Sequence, residues 1–86
     1  FQITMPYFAY VLKSPALGTF YKGHCEFLAK RLSEHNNGQT QSTKHGIPWE
    51  VIYYEEFETR REAILREKYF KTAAGRRYLK TKINLF

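Results

Sequence analysis

Short apolar stretches separated by polar turns run through the chain, and their periods define a small set of elements. Tyr7 to Lys13 is an apolar and aromatic run that fits a strand. Ser14-Pro15-Ala16-Leu17-Gly18 interrupts it, with Pro and Gly as punctuation. Thr19 to Gly23 reads as a second strand, and the short link predicts an antiparallel hairpin. The period then changes. Between Glu26 and Asn36, the residues Phe27, Leu28, Arg31, Leu32 and His35 recur at spacings of three and four, which is one side of a helix. Asn37-Gly38 ends it, because both residues tolerate the left-handed conformation common after a helix. Gln39 to Ile47 is polar and reads as a loop or short helix.

After Pro48, Trp49 to Glu55 is an aromatic and β-branched run that fits a third strand. Thr59-Arg60-Arg61-Glu62 is a capping-box pattern opening a helix to about Lys71. Gly75 is expected to separate that helix from a final basic one around Arg76 to Lys80. Trp49, Phe27, Leu28, Leu32, Ile64 and Leu65 are the candidate core. Two strands, helix, strand and two helices predict the α/β (α+β) class: a small three-stranded antiparallel sheet flanked by helices.

Composition narrows this picture. With 86 residues there is room for one core, so Met5 to Phe86 reads as a single domain. Aromatics make up 17%, and large rings bury much area per residue in so short a chain. Phe1 to Thr4 look like the remnant of a cleaved tag, with Met5 as the native start. Cys25 is the only cysteine, which excludes an intrachain disulfide and a cysteine-rich zinc site and favours a reducing compartment such as a bacterial cytoplasm. No apolar run approaches the roughly 20 residues that span a bilayer, so no membrane partner is expected. The net charge of +6 points to a polyanion. Basic residues crowd the C-terminal third, around the acids Glu55, Glu56, Glu58, Glu62 and Glu67.

Several ordinary residues fall into one ordered pattern: Phe8 to Ser14, Phe20-Tyr21-Lys22-Gly23, Lys30 to Asn36, Pro48 to Tyr54, and Glu62 to Lys68. This series resembles the GIY-YIG nuclease domains, most closely the short stand-alone bacterial members, which are related to the N-terminal nuclease domain of the bacterial excision-repair endonuclease. It covers nearly all of Met5 to Lys80 without a large insertion. Phe8-Ala9-Tyr10 stands in place of Gly-Ile-Tyr, and Tyr21-Lys22-Gly23 in place of Tyr-Ile-Gly. Lys22 occupies a position that is normally apolar, and alternation along the strand points it away from Tyr21.

The resemblance implies the GIY-YIG fold and an endonuclease that hydrolyses DNA phosphodiester bonds through an activated water, in repair or recombination. Its catalytic set carries over to Tyr10, Tyr21, Arg31, His35 and Glu67. Tyr10 lying opposite Tyr21 in the hairpin would bring both rings to one face. Arg31 and His35, four apart, share a helix face. Glu67 supplies a hard oxygen ligand suited to Mg²⁺, with Mn²⁺ as a substitute. No small-molecule cofactor is expected. Tyr10 is assigned as the base, and a tyrosine of ordinary pKa, about 10, needs nearby positive charge for that role. Arg31 would bind the phosphate. Lys44, His45, Arg76, Arg77 and Lys80 are candidate DNA contacts.

Each residue also has a plainer role. Tyrosines on short strands commonly pack, Glu67 between Arg66 and Lys68 fits a mixed-charge helix face, and His35 could simply face a helix C-terminus. His24 and Cys25, adjacent at a strand end, point apart and do not form a metal pair. Two rivals to an active nuclease remain: a catalytically weak or inactive nucleic-acid-binding module of the same fold, and an interaction domain with no metal dependence.

Overall fold

The computed structural model describes residues 6–83. The segment read as a tag remnant, Phe1 to Thr4, lies outside the described residues, as do Met5 and the last three positions. The strands β1 (Tyr7–Ser14), β2 (Thr19–Cys25) and β3 (Glu50–Phe57) form one antiparallel sheet in the order β2-β1-β3. Helix α1 (Leu28–Asn36) follows β2, a 3₁₀ helix (Gln41–Gly46) precedes β3, and α2 (Arg60–Phe70) and α3 (Ala73–Lys82) close the described chain. This is the expected α+β class.

The central strand β1 divides the molecule. Tyr10 and Leu12 pack with Cys25, Trp49, Leu28 and Leu32 on the α1 side. Ala9 and Val11 pack with Phe70, Leu79 and Ile83 on the side of α2 and α3. A bulge between Val11 and Leu12 shifts the β3 register, and Ile52 and Tyr53 both join the second cluster. The two side-chain sets of β1 therefore serve different tasks, one packing Tyr10 and Leu12 against α1 and the other anchoring two helices.

Local signals work well at the start of α2. Thr59 accepts from the Glu62 backbone N–H, and the Glu62 side chain reaches back to the Thr59 backbone, closing the capping box. Gly75 behaves differently from expectation. It lies within the first turn of α3, where a Cβ would collide with the Tyr69 carbonyl, so it allows α3 to pack closely against the end of α2. The break falls earlier, at Lys71–Thr72, and the Thr72 hydroxyl caps α3 by accepting from the Gly75 N–H at 3.0 Å. Two candidate core residues are surface residues. Phe27 is 51% exposed because it sits at the N-cap of α1 rather than inside it, and Leu65 is 52% exposed on the outer side of α2.

The second face is pinned by a polar node. Arg66 donates to both Glu55 oxygens, at 2.7 and 3.3 Å, and its guanidinium lies over the rings of Tyr69 and Tyr78. The Tyr53 and Tyr78 hydroxyls also donate to Glu55, so one carboxylate ties β3 to both helices. Burial alone would raise the Glu55 pKa, but the bonds from Arg66, Tyr53 and Tyr78 outweigh it and hold the carboxyl below its ordinary value. A depressed folded-state pKa contributes stability above the unfolded value, near 4.3, and that stability is lost as pH falls through the folded value. Glu55→Gln should therefore cost about 1–3 kcal/mol at neutral pH. The variant should also lose less stability than the parent on acidification below pH 5, read from urea midpoints across that range.

Candidate active site

Tyr10 is buried at 1% exposure, with its ring lying across Gly23 of the edge strand. A Cβ at Gly23 would meet the Tyr10 Oη at 2.6 Å, so the surviving glycine of the second motif makes room for the first motif's tyrosine. Gly23→Ala should displace that ring and destabilise the fold by about 1–3 kcal/mol, the usual cost of overpacking. Chemical denaturation measures it.

The expected register, Tyr10 opposite Tyr21, is corrected. Tyr10 pairs with Gly23, and Tyr21 pairs with Leu12. Pairing Tyr10 with Tyr21 would leave only Pro15-Ala16 as a two-residue loop. Such loops require a positive φ at the first central position, which proline cannot adopt. The chain uses the longer loop Pro15 to Gly18, with Gly18 at φ 67° and its N–H bonded to the Ser14 carbonyl at 2.7 Å. Because the displacement is two residues, both tyrosines keep one face, and their ring centroids are 6.3 Å apart.

His35 meets them from α1. It is fully buried, its Nε2 is 3.0 Å from the Tyr10 Oη, and its ring packs edge-on against Tyr21 at 4.9 Å. Its Nδ1 is 2.7 Å from the Thr43 Oγ1 in the 3₁₀ helix. Burial, assisted by the Arg31 charge and opposed by Glu34, lowers the His35 pKa and favours neutral imidazole. Burial pushes the Tyr10 pKa well above its ordinary value, although Arg31 hydrogen-bonds its oxygen and pulls the other way. Arg31 also donates to Glu34 at 2.9 Å. It lines a groove of about 210 Å³ together with Cys25, Phe27, Lys30 and Arg60. Cys25 faces this side, and burial raises its thiol to about 11, so it is an inert packing group at neutral pH.

Four of the carried-over residues thus meet, and the fifth lies elsewhere. Glu67 is on the α2 side of the sheet, with Oε1 2.7 Å from the His24 Nδ1 and Oε2 2.7 Å from the Lys71 Nζ. His24 pairs with Ala9 and points away from Cys25, as strand alternation requires. Its partnership with Glu67 spans 43 positions, and no local pattern announces it. Burial would raise the Glu67 pKa, but Lys71 and His24 outweigh it and keep the carboxylate ionised. Lys22 also points to this side, where burial, Arg76 and Lys71 lower its pKa. Lys44, His45, Arg77 and Lys80 are exposed, and Arg76 is exposed with one bond to the Lys71 carbonyl at 3.0 Å.

No group of three or more His, Cys, Asp or Glu able to cage a metal occurs among the described residues. The surroundings of Glu67 nonetheless fit an ion held by one carboxylate, with water and phosphate oxygens completing its sphere. The carboxylate is held ionised, each of its oxygens has a second lone pair, and its Lys71 partner is 55% exposed, so the pair opens to solvent.

Two tyrosines of the sheet thus face an arginine and a histidine of α1. The chain matches the GIY-YIG catalytic domain over residues 6–83 and belongs to that family, a nuclease superfamily with nucleic-acid substrates whose members generally use divalent metals. Its relatives include the UPF0213 protein SSP2268 of Staphylococcus saprophyticus, 36% identical over 86% of this chain and 90% of that protein. The UPF0213 protein YazA of Bacillus subtilis is 41% identical over 79% of this chain and 69% of that protein. A UPF0213 protein of Bacillus pumilus is 43% identical over 77% and 67%. No solved structure matches. No helix among the described residues is long and apolar enough to cross a membrane.

Proposed function

We propose that this chain is a bacterial, cytoplasmic endonuclease that hydrolyses DNA phosphodiester bonds, acting in repair or recombination with one divalent cation, Mg²⁺ or Mn²⁺, on Glu67. The observation that carries the reading is the buried Tyr10 hydroxyl 3.0 Å from His35 Nε2, where burial favours neutral imidazole and the Arg31 charge bears on the Tyr10 oxygen. A buried tyrosine need not ionise in advance if its proton has a destination. Tyr10 accepts a proton from the attacking water as its own proton passes to His35 Nε2. The water oxygen bonds to phosphorus, the bond from phosphorus to the 3′ oxygen breaks, and solvent protonates the departing alkoxide. His35 then passes its extra proton back through Tyr10 to solvent, which restores both groups. Arg31 offsets the charge gathering on the phosphate, and Tyr21 orients water and phosphate beside it. A cation on Glu67 would supply phosphate polarisation and stabilise the leaving oxygen.

Because β2 is an edge strand, a DNA backbone crossing it would meet Arg31 from one side and Glu67 from the other. The products should carry 5′-phosphate and 3′-hydroxyl ends. Cleavage of a chiral phosphorothioate link should invert phosphorus; retention would mean a covalent tyrosyl intermediate and would reject the water mechanism.

One observation favours the binding-module alternative: both Glu67 oxygens already have partners, His24 and Lys71, across the sheet from Tyr10. Such a module would bind DNA with salt-dependent affinity and cut nothing.

Arg76, Arg77 and Lys80 would hold phosphates flanking the scissile one without reading sequence. Replacing all three by Ala should weaken duplex binding and flatten its salt dependence, by a slope of about 0.9 per lost contact. Turnover of bound DNA should change far less. Parallel salt plots with equal affinity would remove α3 from the interface.

A further inference from the structure

His35 has a donor or acceptor at each ring nitrogen, and counting protons along the chain of contacts determines which nitrogen carries hydrogen. Arg31, whose charge bears on the Tyr10 oxygen, is a donor only and cannot take the Tyr10 proton. The Tyr10 proton therefore needs an acceptor, and His35 Nε2 at 3.0 Å is the one within reach. At the other end, the Thr43 hydroxyl donates to the Thr40 carbonyl at 3.3 Å, which leaves its oxygen to accept from His35 Nδ1 at 2.7 Å. Both ends require the same tautomer, with hydrogen on Nδ1 and the lone pair on Nε2. The opposite tautomer would leave the buried Tyr10 hydroxyl proton without an acceptor.

The segment holding Thr43 is itself fixed. The Trp49 indole donates to the Thr43 carbonyl at 2.7 Å, and Asn36, next to His35, bonds the Trp49 backbone N–H at 2.6 Å and its carbonyl at 3.1 Å. The 3₁₀ helix is thus tied to the same helix turn that carries the histidine.

We propose that Thr43 is a positioning residue for phosphodiester hydrolysis: its hydroxyl holds His35 in the Nδ1–H tautomer, so that Nε2 receives the proton Tyr10 gives up. This rests on the hydrolytic reading above, but the tautomer itself can be read without cleavage. Where hydrolysis proceeds, the proton arriving at Nε2 makes an imidazolium, and Thr43 keeps accepting from Nδ1–H throughout, so this bond is made in both protonation states and strengthens in the charged one. Lowered His35 basicity from burial and Arg31 keeps the receiving lone pair free near neutral pH.

The test uses ¹⁵N shifts of the His35 imidazole in the intact protein, together with single-turnover cleavage. Thr43→Val keeps the shape and removes the hydroxyl, while Thr43→Ser keeps the hydroxyl. The parent should show Nδ1–H. Thr43→Val should lose that preference and cut about ten-fold or more slowly, with little change in KM. Thr43→Ser should restore both readouts, which a purely packing role would not predict. An Nε2–H tautomer in the parent would overturn the proposal, as would an unchanged tautomer or rate in Thr43→Val. A parent with the Nδ1–H tautomer that cuts no DNA would reject the hydrolytic reading, and the role of Thr43 in it, while upholding the hydrogen-bond geometry.

Discussion

Replacing Tyr10 with Phe should reduce DNA cleavage by about 10²–10⁴-fold, the range typical of losing a general base. The ring would still lie across Gly23, so the core would be nearly undisturbed. His35 Nε2 would lose its buried partner, at a cost of about 1–3 kcal/mol, and denaturation should register that as a modest loss. DNA affinity should hold, because Arg31 and the basic surface are untouched. Tyr21→Phe should be milder, since Tyr21 packs against His35 through its ring. The opposite ranking would transfer the base to Tyr21, which is only half-buried. A pH profile adds an independent check. His35 must be neutral to receive a proton, and burial with Arg31 beside it lowers its pKa. The acid limb of the rate should therefore fall below the ordinary histidine value of about 6.5.

Glu67→Gln is the second large effect. The amide keeps the shape and can still bond His24 and Lys71, so the fold should persist. Metal-supported cleavage should drop by orders of magnitude, because the proposed divalent cation would lose the carboxylate assigned to hold it. Binding to DNA should fall little or improve, since a negative charge near phosphate has gone. Near-normal cleavage in saturating Mg²⁺ would move the metal to another residue.

What was legible in the sequence was mostly local or periodic. The Thr59–Glu62 capping box reads directly, because both partners lie within one helical turn. Strand alternation put Tyr10 and Tyr21 on one face even though the pairing was displaced by two residues. The loop chemistry behind the displacement lies in the sequence too: Pro15 cannot open a two-residue loop, and Gly18 supplies the positive φ of the longer one. Gly75 shows why a single glycine is ambiguous: it marks a break in one context and a close packing contact in another. Phe27 and Leu65 looked like core because they are apolar, yet a capping position and an outward helix face expose them.

The site was legible only in part. The resemblance identified the four residues that converge, but not Thr43, which lies in a polar stretch with no periodic signal. The partnership of His24 with Glu67 depends on how α2 lies across the sheet, and that is decided by Phe70 and Leu79 packing on Ala9 and Val11. Contacts of this range follow from the assembled core and from no single segment.

The most direct test of the account is cleavage by the purified protein of branched, nicked, single-stranded and plain duplex DNAs, with Mg²⁺ and with a chelator. The account predicts cutting of at least one of these DNAs in Mg²⁺, abolished by chelation and by Tyr10→Phe. DNA bound in a salt-dependent way but left whole in Mg²⁺ and Mn²⁺, across the entire panel, would contradict it.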